Sequence, residues 1–177
     1  MRDFIYTTYE LALIITYYRM DSVEITDFLQ NVFKYDNAFI EAEYRHNLKD
    51  FMLAVMNNVT YISNQEQFEL EADAVNKDIE EFSIKNEIQS DDETFRITNI
   101  VFKEMRLKIL YISKTGYTRM KMRTLLARLG YKRRSPQIVT YIYDCLLFYH
   151  IQVSLRDNES CCIENVDMDR LITFRIV

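Results

Sequence analysis

Residues 129–140 read LGYKRRSPQIVT, three cations set directly ahead of a Ser-Pro helix start. Lys132, Arg133 and Arg134 could neutralise phosphate at a point where the unpaired amides of a helix N-terminus and its dipole already favour an anion. Cations also lie upstream. Arg119 and Arg123 are four residues apart, Lys121 and Arg128 flank them, and residues 101–135 hold eleven Lys/Arg against one acid, Glu104. The predicted nucleic-acid contacts are these seven residues together with Ser135, Gln137, Thr140 and Tyr141, the last three near enough to the helix start to meet base edges. Farther along the same face, Asp144 repels phosphate and Phe148 suits a protein surface. The expected chemistry is therefore a grip on the backbone rather than direct reading of bases. The bland counterpart is a solvated basic face that aids solubility, or one that docks on acidic protein.

Catalytic patterns are sparse. Glu43 and His46 form an E-x-x-H pair, half of a di-iron set, and no second such pair occurs. His150 closes a helix, where a cation complements the dipole. With Gly116 and Gly130 as the two glycines, nucleophile elbows, phosphate loops and dinucleotide fingerprints are excluded. The acids between 64 and 81 (Glu66, Glu69, Glu71, Asp73, Asp78, Glu80 and Glu81) alternate as on a solvated or partner-facing surface. Tyr117 and Tyr131, beside the basic stretch, are candidates to pack on sugar or phosphate. The reading is non-enzymatic, with no cofactor and no metal.

Helices must position these residues, since one proline and two glycines leave little punctuation. TTYE at 7–10 and DSVE at 21–24 are capping boxes that open two helices. A third is expected from Asp36 or Asn37, with Ile40, Tyr44, Leu48, Phe51, Met52 and Val55 at helical spacing. NVTYIS at 58–63 reads as a strand, and QFEL at 67–70 as its return. In the second half, a helix runs from about Ile97 to Ser113, with Val101, Met105, Ile109 and Ile112 inward. Thr118 is expected to cap the next, whose stripe is Met122, Leu125, Leu126 and Leu129. Gly130 ends it, and Ser135 with Pro136 opens the third. Ile138, Val139, Ile142, Cys145, Leu146 and Tyr149 are its expected core face, with Gln137, Tyr141, Asp144 and Phe148 outward. IQVSL at 151–155, a turn RDNES, CCIEN at 161–165 and a last strand LITFRIV form an expected wing.

The fold class expected is mainly α (α+β). Residues 1–71 form an acidic helical, or also winged-helix, module, 72–94 an acidic linker helix, and 95–177 a basic winged helix-turn-helix domain. Charge divides the chain in the same way. Residues 1–94 carry a net −13 and residues 95–177 a net +8, together the −5 of the whole. Two modules with different partners follow from that asymmetry: double-stranded DNA for the basic half and a protein for the acidic half, with a homodimer as one expected assembly. No apolar run approaches the roughly 20 residues that span a bilayer. Three cysteines, two of them adjacent, without C-x-x-C, fit reduced thiols, and the expected location is cytoplasmic.

The pattern LL..LGYKRRS......I...L, followed by a hairpin and an I.F.I strand, resembles a short winged-helix-type module of bacterial restriction and phage-defence proteins. Residues 120–176 carry it, through Leu125, Leu126, Gly130, Arg133, Arg134, Ile142, Leu146, Asp169, Ile172 and Phe174. The resemblance implies a DNA-facing role for Arg133 and Arg134 in regulation or phage defence. IQVSLRDNES departs from the Leu-x-Thr-x-Pro-Asp-Phe-like segment of such modules. By element order alone, the whole chain is similar to the tandem winged-helix subunits that bind kleisins in SMC-type complexes, which implies an adaptor. A third reading is a phage-encoded inhibitor whose acidic half mimics nucleic acid.

Overall fold

The computed structural model describes residues 4–64, 100–155 and 161–177. The chain divides into two units, Met1–Ile79 and Glu80–Val177, each with its own buried set. The class is α+β, mostly helical with a three-stranded antiparallel sheet. Among the described residues no helix is long and apolar enough to cross a membrane.

In the first unit, α1 (Thr8–Tyr18) and α2 (Ser22–Tyr35) start on the expected caps. The Thr7 hydroxyl accepts from the Glu10 amide at 3.1 Å and the Glu10 carboxylate accepts from the Thr7 amide at 2.9 Å. Asp21 and Glu24 repeat the exchange at α2. A second carboxylate serves α1 from far along the chain: Glu41 accepts from the Thr8 amide at 2.8 Å. Helix α3 (Leu48–Asn64) packs against α1. Leu11, Ile15, Leu29, Val32, Phe51 and Val55 fill the core, each lost to water almost completely.

Two expectations fail in this unit. No helix starts at Asp36 or Asn37. Instead two short 3₁₀ turns, Asn37–Phe39 and Ala42–Tyr44, flank an extended Ile40, which makes a single parallel bridge to Tyr6. Asn47 then opens α3, its side-chain oxygen accepting from the Lys49 and Asp50 amides. Residues 58–63 are helical rather than a strand. Their hydroxyls suit that state, since Thr60 and Ser63 donate to the carbonyls of Met56 and Val59 one turn back. Asn58 also reaches the Thr8 hydroxyl at 3.3 Å, tying this turn to α1. Tertiary packing outweighs β-propensity there. The expected strand 67–70, the linker 72–94 and the acids from Glu66 to Glu81 lie outside the described residues.

In the second unit, helix α4 is described over 100–107 and widens into a π-helical turn at Lys108–Ile112. Val101, Met105 and Ile109 are buried as expected, whereas Ile112 is half-buried. Strand β1 (Tyr117–Lys121), α5 (Met122–Arg128), α6 (Pro136–Phe148), β2 (Ile151–Ser154) and β3 (Leu171–Ile176) follow. All four leucine-stripe residues of α5 and all six core residues predicted for α6 are buried. Gly130, at φ 79°, stops α5 in a left-handed turn: its amide donates to Ala127 O and the Tyr131 amide to Leu126 O. Ser135 accepts from the Ile138 amide to start α6, with Pro136 in the first turn.

Thr118 is not a helix cap. It sits in β1 opposite Phe174, and α5 starts only after Lys121. The alternation of Tyr117, Arg119 and Lys121 with buried Thr118 and half-buried Met120 is a strand period that helical spacing obscures. CCIEN is likewise not a strand. Residues 163–166 turn, with the Val166 amide on Cys162 O at 2.9 Å. The partner of β2 is β3, which also pairs β1, so the sheet order is β1-β3-β2. Thr118, Ile172 and Phe174 face the helices. Tyr117, Arg119 and Lys121 share the other face with Arg175, Thr173 and Leu171 of β3 and Gln152 and Ser154 of β2.

Candidate nucleic-acid interface

The cations expected to form one ridge divide into three groups, with Arg119 apart from all of them. Arg128 turns inward. Its guanidinium meets the buried Glu104 carboxylate at 2.9 Å, so α5 is bolted to α4 by an ion pair. This removes Arg128 from the predicted interface, because phosphate would have to displace a desolvated carboxylate. The second group gathers at Asp169, which meets Arg123 at 2.7 Å and Lys121 at 3.6 Å. Both cations remain at least half exposed, at 65% and 50% of the side chain. Such exposed pairs are weak, and a phosphate can share them with the carboxylate.

Arg119 stands apart from Arg123, because it lies on β1 rather than on the same helix face. Its Nε donates to the Thr173 hydroxyl at 3.2 Å, and its guanidinium lies 4.7 Å from the Tyr117 ring centre. The expected four-residue helical spacing thus breaks at the strand–helix junction.

The third group is the turn itself. Arg134 is an anchor, donating to Ile163 O at 2.6 Å. The hydroxyl of Tyr143, about two turns into α6, accepts from the Ile163 amide at 3.1 Å. Both backbone groups of Ile163 are thereby held by side chains of the basic turn and α6. Burial pushes the Tyr143 phenol above its ordinary pKa, keeping it neutral and able to donate toward the Cys162 sulfur at 4.0 Å. Arg134 is half-buried, and Lys132 and Arg133 are the exposed members of the trio. They immediately precede the N-terminus of the thirteen-residue α6.

The other predicted contacts are mixed. The Ser135 hydroxyl is occupied in capping, and Thr140 donates to Pro136 O at 3.1 Å. Gln137 and Thr140 are exposed, while Tyr141 is half-buried. Asp144 is exposed as expected. Phe148 is not the outward aromatic: it is half-buried and packs edge-on to Tyr149, with ring centres 5.2 Å apart. The outward apolar residue is Leu147, 81% exposed, which the sequence reading missed. The turn from 144 to 148 places position 147, not 148, with Thr140 and Asp144.

Glu43 and His46 are both exposed, on a 3₁₀ turn and the residues after it rather than on one helical turn. Among the described residues no group of acidic, histidine or cysteine side chains is placed to hold a metal ion. No family model, curated protein or solved structure matches the chain.

Proposed function

We propose that the second unit is a winged-helix module that binds duplex DNA through its phosphates, without catalysis, in bacterial or phage regulation or defence. The observation that carries the reading is the clasp on Ile163. Arg134 from the basic turn and Tyr143 from α6 both hold Ile163, so the turn is tied through that residue to α6, with Lys132 and Arg133 at the helix mouth. Fixed donors lose less entropy on binding than mobile ones. The element order, with two helices after β1 and a returning β2–β3 pair, supports the winged-helix part. Lys121 and Arg123 serve as secondary contacts around Asp169, and Arg119 no longer belongs to this surface.

The test is a titration of duplex DNA at several salt concentrations. Lys132→Ala with Arg133→Ala should lower the log–log salt slope by about two. An unchanged slope removes the turn from the interface and the reading with it.

One observation favours the adaptor reading: a leucine left 81% exposed on α6 is a natural anchor for a protein partner. Leu147→Asp should then break an assembly seen by light scattering while leaving the DNA salt slope intact. The tandem form of that reading loses the strand it needed at 58–63, which is helical. The acidic mimic rests on the acidic half, of which residues 65–94 lie outside those described.

A further inference from the structure

The outer face of the β1-β3-β2 sheet is a second basic surface that shares no residue with the turn before α6. Among the described outward residues of the three strands, Arg119, Lys121 and Arg175 are cationic and none is acidic, although Asp169 beside the sheet meets Lys121 at 3.6 Å. Two guanidiniums converge on one ring: Arg119 lies 4.7 Å and Arg175 5.6 Å from the centre of Tyr117. Both are held in place by hydroxyls, Arg119 by Thr173 at 3.2 Å and Arg175 by Ser154 at 2.9 Å. The Arg119 side chain itself is exposed, and Thr173 beneath it is only 2% accessible.

We propose that this face binds single-stranded nucleic acid. A sheet face carrying an aromatic ring and two planar guanidiniums offers stacking area to unpaired bases, while the cations neutralise the backbone. A duplex hides its base faces and gains nothing from the Tyr117 cluster. An acidic peptide would use the charges but not the ring. Arginine serves here better than lysine because its planar cation both stacks and bonds phosphate. This face meets the duplex surface proposed above only at Lys121, and its core of Tyr117, Arg119 and Arg175 can fail or hold without the turn before α6.

The experiment uses the full chain and fluorescence anisotropy with a labelled oligothymidylate of about fifteen nucleotides. Arg119→Gln with Arg175→Gln should weaken its binding by about tenfold or more and leave the duplex salt slope unchanged. Lys132→Ala with Arg133→Ala should change the duplex slope and leave oligothymidylate affinity within about twofold. Tyr117→Leu removes the ring without removing either hydroxyl contact, and should cost about fivefold while keeping the native circular dichroism. It carries the test if the double arginine variant fails to fold. Unchanged oligothymidylate affinity in a folded variant overturns the proposal. So does an oligoglutamate peptide that displaces the oligonucleotide at equal concentration, which would assign the face to an acidic protein.

Discussion

At the scale of single residues, the decisive distinction is between cations that hold the fold and cations that face water. Arg128 belongs to the first kind. Removing the Glu104 carboxylate by Glu104→Leu should break the buried ion pair and destabilise the second unit by about 3 kcal/mol, measurable by urea unfolding. Tyr143→Phe leaves the Ile163 amide without its acceptor, at a cost of about 1–2 kcal/mol. It should also weaken duplex binding although no phosphate contact is removed, because Ile163, the residue that Arg134 of the turn grips, loses its second anchor. The cysteines give a pH test. Burial pushes the Cys145 thiol up to about 12, from an ordinary value of 9.0. The unfolded chain therefore loses this proton first, so stability present below about pH 9 falls as pH rises toward 12, by up to about 1.4 kcal/mol per unit. Cys145→Ala should flatten that slope in alkaline denaturation. Ellman's reagent should label exposed Cys162 rapidly and reach Cys145 only on unfolding.

Among the elements, α1, α2, α5 and α6 were readable because each carries its own start or stop signal. Thr7 with Glu10, Asp21 with Glu24, and Ser135 with Pro136 are local, and Gly130 is one of two glycines in the chain. β1 was not readable, because five alternating residues abut a helix with no turn residue between them. Its partner lies fifty or more positions away, in β3. The last turns of α3 were misread for a related reason: Val59, Thr60 and Tyr61 favour strands in isolation, and packing on α1 decides otherwise. The site suffered most from the missed strand, since it moved Arg119 to a different surface. The inward turn of Arg128 was legible only with α4 in place. One element carries an avoidable cost. His150 follows α6 in a left-handed conformation, φ 54°, where glycine is at ease. His150→Gly should raise stability by about 1 kcal/mol and shift the melting temperature upward by a few degrees.

For the whole molecule, two buried sets imply two unfolding events. Glu104→Leu should lower the transition of one unit and leave the other near its original midpoint, as calorimetry would resolve. The charge contrast between halves, legible from composition, survives as a division of labour only if the basic unit meets polyanions and the acidic one does not. The carboxylate that Glu41 lends to the Thr8 amide is thirty-three positions downstream of the group it serves. A nascent chain emerging from the ribosome therefore cannot finish the beginning of its first helix until the 3₁₀ turns have followed it out. Chains truncated before residue 41 should keep the Thr7–Glu10 exchange yet show a frayed start to α1, and the first unit should close late rather than grow from its N-terminal end.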